Sequence, residues 1–118
     1  MFVFGSNLAG LHHGGSAAHA YNHEGAEWGV GCGPTGNSYA IPTLDMNFKK
    51  LSLEDIKAHV DVFKVYAKWH PEITFVVVAI GCGIAGFSPS DIAPMFEGSP
   101  DNVRLPKEFQ SAHDSSEK

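Results

Sequence analysis

Residues 73–86 constrain this chain more than any other stretch. Ile-Thr-Phe-Val-Val-Val-Ala-Ile, a run of mostly β-branched and aromatic residues, ends abruptly in Gly81-Cys82-Gly83-Ile84-Ala85-Gly86. Phe87 follows, and Ser88-Pro89-Ser90-Asp91 then reads as the start of a helix, with Ser88 as cap and Pro89 at its first position. A strand that runs through a glycine turn into a helix gathers free backbone N–H groups at the positive end of a helix dipole. Such a turn suits a phosphorylated ligand. The continuous apolar run at 73–80 predicts a central strand buried on both faces of a parallel sheet.

The rest of the chain supplies a sheet and helices around that strand. Phe2-Val3-Phe4 reads as a short strand broken by Gly5-Ser6-Asn7. Residues 14–24 read as a helix closed by Gly25, with Ala17, Ala18 and Ala20 allowing close packing on a sheet. Glycines crowd 27–37, which predicts an irregular loop with a short strand at Trp28 to Val30. Ser38 to Pro42 alternates and predicts a strand that stops at the proline. Ser52 caps the clearest helix, whose Ile56, Val60, Phe63 and Ala67 fall on one face and which Pro71 closes. Pro94 should shorten or kink the last helix. Asn102 to Leu105 is a strand or an extended segment. The fold class is therefore α/β, a mainly parallel or mixed central sheet with helices on both faces. One domain is expected over residues 1–110, with a polar, disordered tail at 111–118.

Composition removes some functions. The formal charge is −5 and no segment is strongly basic, which excludes binding of long nucleic acid. A single nucleotide remains open, because backbone amides hold phosphates without cationic side chains. No run of apolar residues is long enough to span a membrane, and Met-Phe-Val-Phe-Gly lacks the charged lead of a signal peptide. A soluble, cytoplasmic protein is expected. Cys32 and Cys82 read as reduced thiols, and without CxxC spacing they are a weak zinc signal.

The candidate sites each have a plain structural reading beside the chemical one. Residues 81–86 fit GxGxxG, but too little chain follows for a dinucleotide-binding unit. Asn7, in Gly5-Ser6-Asn7-Leu8-Ala9-Gly10, serves either an Asx turn or a ligand hydroxyl. His12 and His13 read as solvated loop residues, one of which could touch a ligand. His19 and His23 sit four apart on a helix with no third metal ligand evident. Asp45 follows a strand at the ligand edge, as a turn cap or an acid near the site. GxSxG, GxxxxGK[ST] and HExxH are all absent.

Four segments together resemble the macro domain family. They are Gly5 to Gly10, His13-Gly14-Gly15-Ser16-Ala17-Ala18, Gly36 with Ser38 to Thr43, and Ala79 to Phe87. The likeness covers residues 2–97, and the pattern is similar to that of small phage-encoded members. It implies a module that binds ADP-ribose or a related nucleotide derivative, and in some members hydrolyses ADP-ribose linkages. Gly81, Cys82, Gly83, Ile84, Ala85, Gly86 and Phe87 would wrap the phosphates, closest at Gly83. Gly5, Ser6 and Asn7 would form the second turn, and Gly14, Gly15 and Ser16 would face the distal ribose. By the same likeness Asn7 would assist any hydrolysis, and His12 or His13 with Asp45 are the possible acid–base groups beside it. The acidic residue with which macro domains usually read the adenine has no counterpart in this sequence. No cofactor and no metal are implied. A hydrolase and an interaction protein without a small ligand remain the alternatives.

Overall fold

The computed structural model describes residues 1–83 and 85–110. Ile84 and the polar tail at 111–118 lie outside them. The elements are β1 (Phe2–Asn7), α1 (Gly15–His23), β2 (Gly33–Thr35), β3 (Ser38–Leu44), α2 (Leu53–Lys68), β4 (Phe75–Val77), α3 (Pro89–Ile92) and β5 (Val103–Arg104). A 3-10 turn at Ala93–Phe96 follows α3. The five strands form one mixed sheet in the order β2-β3-β1-β4-β5. β1 is central and runs parallel to both β3 and β4, β5 is parallel to β4, and β2 is antiparallel to β3.

The two faces of the sheet are covered unequally. On one, Val3, Ile41 and Val77 pack with Ile56, Val60, Phe63 and Ala67 of α2 and with Ile92, Met95 and Phe96. On the other, Phe4 and Ala40 pack against Ala17 and Ala20 of α1. Small side chains let α1 lie close to β1 and β3, but its nine residues do not extend over β4. Val76, on the α1 side beside Phe2, is therefore 50% exposed. The expected central strand buried on both faces is thus corrected to a three-residue strand buried on one. Beyond Val77 the amide of Val78 still bonds Val3 O at 3.1 Å, and the chain then curls, Ile80 N to Val78 O at 2.7 Å.

Two other strands differ from expectation. β3 runs through Pro42 to Leu44, with Pro42 paired to Ser6. β2 accompanies β3 only as far as Ala40, so the outer side of Pro42 is an edge where a missing N–H is tolerated. The short strand lies at Gly33–Thr35 and not at Trp28 to Val30, because pairing with Ser38 to Ala40 selects it.

The helices follow their local signals. Ser52 Oγ accepts from Asp55 N at 3.1 Å, with Glu54 and Asp55 in the first turn of α2. Ile56, Val60, Phe63 and Ala67 are its buried face. Ser88 and Asp91 form a reciprocal capping box at α3, and Pro94 converts the chain to the 3-10 turn. Asn102 ties the end of α2 to the sheet, its Nδ2 donating to the carbonyls of Ala67, His70 and Ile73 at 2.9–3.0 Å. Among the described residues no helix is long and apolar enough to cross a membrane.

Candidate functional site

The chain leaves β1 toward α1 on one face, whereas it leaves β3 and β4 toward α2 and α3 on the other. Connections that part in this way open a crevice at the carboxyl ends of the strands. A cavity of about 960 Å³ occupies that place. Its floor is the end of β1 (Gly5, Ser6, Asn7), flanked by Thr43 and Leu44 from β3 and by Val78 and Ala79 beyond β4. One wall is the start of α1, with His13, Gly14, Gly15, Ser16 and Ala17. Another is the glycine turn, with Gly81, Cys82, Gly83 and Ala85. Phe48 and Lys50 come from the arm after β3, and Glu108 from the C-terminal segment.

Most of the residues expected in the site meet there. Gly5, Ser6, Asn7, His13, Gly14, Gly15, Ser16, Gly81, Cys82, Gly83 and Ala85 all line the cavity. Gly86, Phe87 and Asp45 are not among its lining residues. Phe87 instead packs against the core, with its amide bonded to Gly81 O at 2.7 Å, so it closes the turn from behind. Ile84 lies outside the described residues.

The glycine turn owes its shape to Gly81, whose φ of +79° favours glycine. A Cβ there would meet Phe87 Cδ2 at 3.2 Å and Thr43 Cγ2 at 3.5 Å. Gly83 is different. It has no left-handed backbone, and a Cβ on it would point into open space. A side chain at Gly83, a lining residue of the cavity, is therefore accommodated without straining the fold.

Opposite, α1 begins at Gly14, which offers no side chain to cap it. The first amides of a helix have no intrahelical partners, and here no cap oxygen takes them. The Cys82 thiol also suits an anion site. Burial pushes its pKa up, with Glu108 and Asp91 adding to the effect, so it stays neutral and puts no thiolate in the cavity. Its Sγ lies 3.6 Å from Ile80 O. Among the described residues Lys50 is the one lysine or arginine of the lining, with Nζ 3.4 Å from Gly86 O and 4.9 Å above the Phe87 ring.

The polar side chains are partly committed. Asn7 Nδ2 donates to Leu11 O at 2.9 Å, and Asn7 Oδ1 accepts from Leu11 N at 3.1 Å. Its carboxamide thus staples the 7–11 turn, with one N–H and one lone pair to spare. Asp45 Oδ1 accepts from Asn47 N at 2.7 Å and Lys49 N at 3.0 Å, which makes it a turn cap. His13 is exposed, its ring edge-on to Trp28 at 4.8 Å.

His12, named with His13 as a possible acid–base group, is the residue whose surroundings the sequence did not reveal. It is not a solvated loop residue: it is 2% exposed, packed edge-on against Phe4 and near Tyr21 and Trp28. Its Nε2 lies 2.8 Å from Glu27 O and its Nδ1 3.4 Å from Ser6 Oγ. A carbonyl oxygen only accepts, so Nε2 carries the hydrogen. In the neutral ring Nδ1 then presents its lone pair to the Ser6 hydroxyl at the cavity floor. The aromatic residues around it, scattered from Phe4 to Trp28, were the available signal. Neither His19 nor His23 belongs to the cavity lining, and His19 rests on Phe2 with Nε2 3.5 Å from Glu24 Oε2. Comparison of the chain with protein families, with curated proteins and with solved structures returns no match.

Proposed function

We propose that this protein binds ADP-ribose or a related phosphorylated nucleotide derivative in the cavity at the end of β1. The observation that carries the reading is the convergence on one cavity of the Gly81 turn, the end of β1 and the uncapped start of α1. Backbone amides and a helix dipole supply the attraction for a diphosphate that an acidic chain otherwise lacks. A volume of about 960 Å³ falls within the range of small-molecule sites. The resemblance to macro domains points to the same class of ligand.

The test is a titration of the protein with ADP-ribose and NAD, followed by calorimetry and by melting. Ligand at 100 times its dissociation constant should stabilise the fold by about 2.7 kcal/mol. Gly83→Val should melt as wild type does, because nothing lies within 4 Å of the added Cβ, and should lose the ligand-induced shift, because Gly83 lines the cavity. No heat and no shift at millimolar ligand would reject the binding reading. Undiminished binding by Gly83→Val would remove the turn from the site.

A second reading, hydrolysis of ADP-ribosyl or phosphorylated ADP-ribose bonds, rests on the Ser6–His12 pair. Ser6 Oγ can take a proton from an attacking water while passing its own to His12 Nδ1, with Nε2–H held on Glu27 O. The water oxygen bonds to the electrophilic carbon or phosphorus, and the leaving oxygen departs with the bonding pair. Turnover by wild type, reduced about 100-fold or more in a folded His12→Phe variant, is the expected result. Binding without turnover across such substrates would leave the protein a binder.

A further inference from the structure

Phe48 is the one non-glycine residue with a left-handed backbone among the described residues, at φ 62°. A bulky side chain is disfavoured in that region, where glycine or asparagine sits at lower energy. Its ring is also 49% exposed, at the rim of the cavity. Neither feature serves the core.

The surrounding arm holds it there. Asp45 Oδ1 takes the amides of Asn47 and Lys49, Phe48 N bonds Asp45 O at 3.1 Å, and Asp45 N bonds Lys49 O at 2.8 Å. Leu44 bridges Lys50 across the base of the arm. Lys50 then reaches over to Gly86 O and the Phe87 ring, which ties the arm to the glycine turn. The spacing between the Phe48 ring and the turn is thereby set by structure. Apart from the His13 imidazole, no other aromatic ring lines the cavity among the described residues.

We propose that Phe48 is a stacking platform for a planar heterocycle, the base of the ligand whose phosphates the glycine turn holds. The inference rests on the phosphate-binding reading above and assigns the base end of that ligand. Asp45 is a positioning residue that keeps the ring at the rim, and Lys50 on the same arm adds a positive charge beside the phosphates.

Calorimetric titration with ADP-ribose and with inorganic pyrophosphate separates the two readings. Phe48→Gly deletes the ring at a position whose backbone glycine prefers, so the variant should melt at or above the wild-type temperature. It should bind ADP-ribose about tenfold or more weakly and pyrophosphate as wild type does. Phe48→Trp should keep the affinity for ADP-ribose. Asp45→Ala should also weaken ADP-ribose binding, and Asp45→Asn, which keeps an accepting Oδ1, should restore it. Wild-type affinity for ADP-ribose in Phe48→Gly would overturn the platform and leave the phosphate site standing. Equal loss of both ligands in that variant would also overturn it. If wild type binds neither compound, the phosphate site fails and the platform with it.

Discussion

Replacing Phe63 by alanine should lower the unfolding free energy by about 3–5 kcal/mol. Phe63 is fully buried on α2, with ring centroids 5.0 Å from Tyr39, 5.4 Å from Phe75 and 6.2 Å from Phe96. It joins β3, β4 and the 3-10 turn after α3 at a single point, so the cavity it leaves has walls from three elements and cannot easily collapse. Domains of this size are stable by about 5–15 kcal/mol, so the loss is a large fraction of the total. Urea unfolding followed by circular dichroism measures it, through a lowered midpoint at an unchanged slope. A loss under about 1 kcal/mol would mean that α2 does not cover the sheet as described.

Alanine at Gly31 should damage the fold and the site together. The backbone of Gly31 lies directly on the end of β1, and an added Cβ would run into the carbonyl oxygen of Asn7. It would also come within 3.2 Å of Gly10 N, the amide that donates to that same carbonyl at 2.9 Å. All of these atoms are backbone, so no flexible side chain can move aside. Overpacking of this kind costs about 1–3 kcal/mol and sometimes more. Relief requires the 29–31 segment to lift or the end of β1 to shift, and Ser6 and Asn7 move with it. Gly31→Ala should therefore melt well below wild type and lose ligand-induced stabilisation. Gly83→Ala, with open space at its Cβ, is the control for fold stability. A Gly31→Ala protein that melts and binds as wild type would refute the close approach of these two segments.

The parts of the fold legible in the sequence are those decided by neighbours in the chain. The helical spacing of Ile56, Val60, Phe63 and Ala67, with a serine cap before them, identifies α2 and its buried face. The break at Gly81 and the cap at Ser88 locate the turn and the helix after it. Features decided by distant partners were not legible. The apolar run at 73–80 does not reveal that α1 is too short to cover Val76. Nor does the loop before β3 reveal that Gly33–Thr35, which opens on two residues of low strand propensity, will pair with it. The site divides in the same way. Its glycine turns are sequence features, but the Ser6–His12 hydrogen bond and the left-handed backbone of Phe48 arise only once β1, β3 and their loops are assembled. Asp45 shows the ambiguity most plainly: an acid after a strand has the same signature whether it serves a ligand or its own turn.

The central place of β1 also governs the order in which this molecule can come together. Phe2 lies against Ser38 on one side and Val76 on the other, so each pairing of the middle strand closes a long loop of chain. Contacts of such high sequence separation repay their entropy only late, which places parallel sheets among the slower folders. α2 can form early from its own residues, but the cavity cannot, since its floor and both walls need β1 seated between β3 and β4. A ligand bound there, as proposed, would rest on the interactions that form last. It would act as a clasp on the finished sheet, holding back unfolding while leaving the rate of folding almost untouched.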